Sequence, residues 1–415
     1  MEKVMGIIAE YNPFHNGHLH HLKKSKEITD SKFTVCVISG NFTQRGDVSV
    51  IDKWTKTDMA LNNGADLVIE LPTIYSISSA ENFANGAIKL LNSLKIVDFV
   101  SFGSEVGNIN TLDNIANVLV NEPKEYVTML KHELNNGTSF PKAREKALLL
   151  YLNDIRRYTN VISSPNNILG IEYLKSLRTT HSLIRGVTIE REKVGHHDLK
   201  SKEHYASGTL IRDNIINDAF QKLQPTVPDN VYSLLTNKND RGEIINSLKK
   251  YEKEIVYALR RMTLEEIANL PDVTEGLENA IKTAANTYNN LEDIFSLIKS
   301  KRYTYTRISR IMLYALLNIS KNDIEISKKE SPYVRVLGFN DNGQRLLSAI
   351  TTANPKLPVI TSVKKFMDTT NNKNLKRMMD IDILATNIYT LGYEYNALCN
   401  LDYTKPVIKK SNILY

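Results

Sequence analysis

The sequence predicts an α/β protein: a helix-covered parallel sheet, then a mainly helical region, then a small mixed α/β part. Three observations predict it. Apolar runs of strand length alternate with helical patterns through residues 1–105, the rhythm of strand–helix–strand units. Residues 213–330 are largely helical in pattern, and residues 331–415 return to alternating strand and helix. A length of 415 residues suits two or three domains with ample core. The expected boundaries are 1–212, 213–330 and 331–415.

The elements follow in order. Val4–Ala9 is an apolar strand that Asn12-Pro13 ends, since proline lacks a backbone donor and biases the residue before it away from helix. Leu19–Thr29 is helical in pattern, and His15-Asn16-Gly17-His18 stands at the junction. The next strands are Phe33–Ser39, Asp66–Glu70 and Phe99–Ser101, with helices over Trp54–Asn63 and Ala80–Leu94 between them. Right-handed crossovers then put ligands at the carboxyl ends of the strands. Residues 108–155 read as mostly helical, and Val187–Arg191 as a further strand. Helices are expected over Asp229–Leu235, Glu243–Met262, Val273–Asn289 and Ile308–Leu317. The last part offers strands Tyr333–Leu337 and Pro358–Thr361 and helices Gln344–Thr351 and Asp382–Tyr389.

Composition excludes several classes. The apolar fraction is 42% and the charged fraction 24%, as in ordinary soluble proteins. No run of apolar residues is long enough to span a membrane. Glu10, Asn12 and His15 interrupt the first apolar run, so the N-terminus does not read as a signal peptide. Cys36 and Cys399 are too few for a disulfide framework or a zinc site, and Cys36 reads as a buried thiol. The expected compartment is the cytoplasm. Net charge is +7, spread as about +1 over residues 1–200, −3 over 201–300 and +9 over 301–415. That asymmetry suggests a nucleic-acid surface in the last quarter.

The strand ends carry the chemistry. A helix N-terminus offers unpaired N–H groups and partial positive charge, so the His15–His18 junction suits phosphate. Gly17 lets a ligand approach the backbone. His15 and His18, three apart, can share one side of the first turn and donate to an oxygen gaining charge. After the second strand, Ser39-Gly40-Asn41-Phe42-Thr43-Gln44-Arg45-Gly46-Asp47 forms a tight loop in which Arg45 can clamp a carboxylate or phosphate. Asn41 or Asp47 can orient a substrate there. Gly103 follows the fourth strand. Ser164 or Asn166 can cap the helix after Ser163-Ser164-Pro165-Asn166-Asn167. Ser207 can cap a helix whose first N–H groups, with Thr209 and Arg212, suit phosphates. His196-His197-Asp198 lacks a third ligand group, so no metal site is expected. Lys299 to Arg310 interleaves cations with Tyr303 and Tyr305, suiting RNA phosphates and bases through Lys301, Arg302, Arg307 and Arg310.

His15-Asn16-Gly17-His18 resembles the His-x-Gly-His signature of the adenylyl-transferring nucleotidyltransferases. Tyr205-Ala206-Ser207-Gly208-Thr209-Leu210-Ile211-Arg212 resembles their second signature, with Ala206 and Gly208 departing where serines are usual. The longer string Glu10 to His18, with Ser39 to Gly46, Asp52-Lys53-Trp54, Gly64 to Pro72 and the Lys-Arg-Tyr-Thr run at 301, resembles the bacterial tRNA(Met) cytidine acetate ligase family. The resemblance implies a Rossmann-like nucleotidyltransferase domain over 1–212. It implies ATP contacts from the segment Ile7, Ile8, Ala9, Glu10, Tyr11, Asn12, Pro13, Phe14, His15, Asn16, Gly17, His18, Leu19 and His20. Gly103, Asn166, Arg191, Ser207 and Thr209 join them, and His15 and His18 would be catalytic.

The implied reaction joins acetate to the wobble cytidine of elongator tRNA(Met) through acetyl-adenylate, with Mg²⁺ accompanying ATP. Asn41, Arg45, Lys301, Arg302, Arg307 and Arg310 would serve the substrates. No membrane or obligatory protein partner is expected. Two rivals are a small-molecule adenylyltransferase of the same superfamily and an RNA-binding protein with a fossil nucleotide site. The first needs no basic region of such length, and the intact histidine pair argues against the second.

Overall fold

The computed structural model describes residues 2–138, 140–191, 205–274, 276–300, 303–395 and 397–411. One eight-stranded sheet organises it, in the order β5-β4-β1-β2-β3-β6-β7, with β8 also pairing β6. The first five strands are β1 (Val4–Ala9), β2 (Phe33–Ser39), β3 (Leu67–Leu71), β4 (Phe99–Ser104) and β5 (Arg185–Glu190). All pair in parallel. Chain order runs outward from β1 to β3, then jumps back to β4 on the other side of β1. The crevice above β1 is thus a topological switch point, where open α/β sheets bind ligands.

Helices cover both faces. On one, α1 (Asn16–Thr29) and α2 (Lys53–Asn62) pack against Met5, Ile7, Cys36, Ile38 and Val68. On the other, α3 (Ala80–Ser93) packs against Val4, Ile8, Val35, Val37, Leu67 and Ile69. Odd and even positions of one strand serve opposite faces, as the pleat requires. Gly6 of β1 is held to hydrogen, because a Cβ there would lie 2.9 Å from Leu91 of α3. Cys36 is fully buried, and burial pushes its thiol up to about 12.

The strands of the last region extend this sheet. β6 (Val334–Phe339) pairs antiparallel with β3, and β7 (Val359–Ile360) and β8 (Ile408–Lys409) pair parallel with β6. The seam between β3 and β6 holds a buried charge network. Lys53 Nζ sits 2.8 Å from Glu70 and 2.8 Å from Asp402, and Arg335 lies 3.7 Å from Asp402. Asp382, on α7 (Lys373–Tyr389), accepts from the Thr73 N–H at 2.7 Å and from the Tyr333 hydroxyl.

Two helices start well away from where the sequence puts them, and one strand was not expected. The helix expected from Glu243 starts at Glu252, because the preceding backbone is drawn to a neighbouring loop: Ile245 N–H donates to Val50 and Leu248 N–H to Asp47. The helix expected from Asp382 starts at Lys373, capped by Asn372. β8, two residues long, has no periodicity to betray it. In the helical region, α6 (Tyr305–Leu316) starts at a Thr304 cap. Among the described residues no helix is long and apolar enough to cross a membrane.

Candidate active site

β1 ends at Ala9, and the chain turns through Tyr11, whose backbone is left-handed with φ 46°. The buried Tyr11 ring packs 4.9 Å from Phe14 and 5.0 Å from His18. The turn delivers His15 as the N-cap of α1. Its Nδ1 accepts the Gly17 N–H at 3.1 Å, and the Nδ1 of His18 accepts the His15 N–H at 3.3 Å. This is a capping box built from two imidazoles. A ring nitrogen that accepts carries no proton, so each neutral ring holds its proton on Nε2. The rings stack 3.7 Å apart. Burial, then Arg191 and Arg212, lowers His15 to about 3, and burial with His15 beside it lowers His18 as well. Both are neutral Nε2–H donors at pH 7.

The second signature packs against the first. Ser207 caps α5 (Gly208–Ile216) by accepting the Leu210 N–H. Arg212 donates to the Asn12 carbonyl at 3.1 Å and to Thr209 Oγ1 at 3.2 Å. A Cβ on Gly208 would stand 3.2 Å from Arg212 and 4.0 Å from His15 Nε2. The glycine that departs from the serine pattern thus lies beside His15.

Over β4 and β5, Gly103 lies beneath Arg191, whose side chain a Cβ would meet at 3.1 Å. Arg191 donates to Asn166 Oδ1 at 3.4 Å. Asn166 sits in the first turn of α4 (Pro165–Thr179), and Ser164 makes no capping bond there. The cap comes from Glu105 instead. Its carboxylate accepts from Asn166 N–H, Asn166 Nδ2 and Asn167 N–H at 3.2, 2.7 and 2.8 Å. In return the Glu105 N–H donates to Asn167 Oδ1 at 2.9 Å.

These groups surround a cavity of about 720 Å³, ample for a nucleotide. Ile7 to Tyr11, His15, Gly17, His18, His20, Gly103, Asn166, Arg191 and Ser207 all line it. Arg45 and Arg310 line it too, on the side of the β2 loop and α6. Asn12, Pro13, Phe14, Asn16, Leu19 and Thr209 are not among the lining residues. Asn12 Oδ1 accepts the Val50 N–H, and Phe14 is core. Asn41 is buried off the cavity, accepting the Lys53 N–H and donating to Thr386. Arg307 clasps the Asp272 carbonyl and stacks on Tyr303. Lys301, Arg302 and His196-His197-Asp198 lie outside the described residues.

Sequence reasoning missed several lining residues: His21, Gln44, Tyr173, Tyr205 and Thr306. His21 was legible, one turn beyond His18 on α1. Its Nε2 lies 3.1 Å from Ser101 Oγ, and burial lowers it to about 4. Tyr173 arrives from a distant helix and leaves no local signal, and Thr306 lies within the Lys299 to Arg310 run, where the cations and tyrosines carried the reading. Among the described residues, no group of three His, Cys, Asp or Glu is placed to hold a metal.

A family model described as HIGH Nucleotidyl Transferase matches residues 2–402. The tRNA(Met) cytidine acetate ligase of Thermoanaerobacter sp. (strain X514) is 44% identical over 408 residues, covering 98% of this chain and 99% of that protein. The enzyme of the same name from Acetivibrio thermocellus is 42% identical over 398 residues, covering 94% and 95%. Among solved structures, Thermotoga maritima TmcAL bound with alpha-thio ATP matches with a TM-score of 0.91 and 31% identity, over 99% of this chain and 100% of that one. Likeness on this scale, running from the histidine pair through the last strands of the sheet, makes the chain a member of the tRNA(Met) cytidine acetate ligase family of HIGH nucleotidyl transferases.

Proposed function

We propose that this chain is an ATP-dependent ligase that converts acetate to acetyl-adenylate and acetylates the exocyclic amine of the wobble cytidine of elongator tRNA(Met). The observation that carries the proposal is the neutral histidine pair at the switch point, with both Nδ1 atoms accepting backbone N–H groups so that both protons sit on Nε2. In the first step an acetate oxygen attacks the α-phosphorus and pyrophosphate leaves. His15 and His18 donate to the phosphate oxygens as charge shifts onto them, which is worth more in a buried site than in water. Arg191, Asn166 and Gly103 hold the nucleotide over β4 and β5, and Arg212 and the first N–H groups of α5 face the departing phosphates. In the second step the cytidine amine attacks the acetyl carbon and AMP leaves.

ATP binding and a tRNA(Met) substrate rest on the family. The acid activated is acetate, and the reaction takes place in the cytoplasm. Mg²⁺, where it accompanies ATP, is carried by the phosphates. Thr306 and Arg310 of α6 line the same cavity, which supports a substrate that meets the helical region rather than a small cofactor precursor.

The test combines purified protein, ATP, labelled acetate and tRNA lacking the modification, read by nucleoside mass spectrometry. Acetylcytidine that forms only with both ATP and acetate is the expected result. Acid-dependent pyrophosphate release without acetylcytidine would keep the adenylation step and overturn the acceptor.

A further inference from the structure

The cleft has two sides, and the strand order sets them. Gly103, Asn166 and Arg191 stand over β4 and β5. Gln44 and Arg45, on the loop after β2, stand on the opposite side of β1 with Thr306 and Arg310 of α6. The histidine pair lies between. Glu10 is the first residue beyond β1, whose last paired residue, Ala9, sits beside Ile38 of β2. Its Oε1 accepts the Gln44 N–H at 2.7 Å, and Gln44 Nε2 is itself anchored on the Ser78 carbonyl at 3.1 Å. Glu10 is therefore tied to the β2 side while lining the cavity. Among the described residues, its Oε2 makes no hydrogen bond.

A carboxylate is misplaced among phosphates and acetate, which are anions. It fits an amine: that of the nucleotide is assigned above to the side of β4 and β5, which leaves the exocyclic amine of a cytosine as the N–H donor on the β2 side. We propose that Glu10 is the catalytic base of acetyl transfer, accepting from that amine through Oε2 while Oε1 stays on the Gln44 N–H. This inference rests on the function proposed above. As the nitrogen–carbon bond to the acetyl group forms, the bond from that carbon to the phosphate oxygen breaks. AMP leaves with its electron pair, the amine gives one proton to Glu10, and Glu10 passes it to water. A cytosine amine is a weak nucleophile because its lone pair is shared with the ring. A base in contact with it is worth about 10²- to 10⁴-fold.

Glu10→Gln keeps the length and the oxygen that meets Gln44 but removes the base. Wild type and variant are compared side by side for acetate-dependent ATP–pyrophosphate exchange, AMP release and acetylcytidine formed in a single turnover on unmodified tRNA. The expected result is a loss of transfer at least about 30-fold greater than any loss of exchange. AMP released per acetylcytidine should rise as stranded adenylate hydrolyses. Glu10→Asp, which restores the base on a shorter arm, should recover part of the transfer. Equal losses of exchange and transfer in Glu10→Gln would overturn the assignment and give Glu10 to the nucleotide. Unchanged transfer would overturn it too. Wild type that exchanges pyrophosphate yet makes no acetylcytidine would sink the acceptor reading, and this inference with it.

Discussion

At the scale of residues, the imidazoles of His15 and His18 cap a helix with one nitrogen and face the cavity with the other. His18→Ala removes one donor and should slow acetate-dependent pyrophosphate exchange by about 10²- to 10³-fold, with tRNA binding retained in a filter assay. The same burial has a consequence for stability. An unfolded histidine titrates near pH 6.5, whereas folded His15 stays neutral down to about 3 and His21 to about 4. Between those limits the unfolded chain binds more protons. Stability is therefore fully present above about pH 6.5 and falls as pH drops toward the folded values. Urea midpoints between pH 4.5 and 7.5 should show this decline, and His15→Asn, which still caps but cannot titrate, should make it shallower. Glu105 gives a third prediction. Glu105→Ala frees Asn166 and leaves the Asn166 and Asn167 donors unpaired, a cost of about 1–3 kcal/mol for each donor left buried. The apparent KM for ATP should rise more than kcat falls. The histidines and Gly103 were legible because each sits at a strand end or helix start that sequence pattern marks, and Asn166 through the family resemblance. Glu105 was not, because the residue that caps α4 lies 61 residues before it in the chain.

At the scale of elements, apolar runs located the strands well where burial is two-sided. β1 and β2 run as expected from the sequence, while β4 continues past its last strongly apolar residue and β6 runs past the expected Leu337 to Phe339, because ladder partners hold them. Periodicity could not tell that β6 pairs with β3, since pairing depends on residues far apart in sequence. The charge network at that seam carries its own test. Lys53 is fully buried between Glu70 and Asp402, so Lys53→Met leaves two carboxylates without their cation. Breaking a buried pair from one side costs about 3–5 kcal/mol. Urea unfolding should report a loss of that size. A loss below about 1 kcal/mol would mean that water or the nearby Arg335 takes over the role of Lys53.

At the scale of the whole molecule, the basic last quarter completes the sheet that carries the nucleotide site. A chain cut at residue 330 would bare the β3 edge and invite aggregation, so the RNA surface must be tested in the intact protein. The aromatic and basic string that runs into α6 is less available for phosphates than its composition suggests. Arg310 pairs with Asp272 at 2.8 Å, and Arg307 is held by the Asp272 carbonyl. Exposed cations stand elsewhere, among them Lys364, Lys365 and Lys373. If they meet the tRNA backbone, each contact releases counterions and adds about 0.7–0.9 to the slope of log affinity against log salt. The triple change Lys364→Ala, Lys365→Ala and Lys373→Ala should weaken tRNA binding most at low salt and reduce that slope by about 2. ATP affinity should not move, because none of the three lines the cavity. An unchanged slope would return the RNA contacts to the 299–310 segment, and a parallel loss of ATP binding would mean that the substitutions disturb the shared sheet.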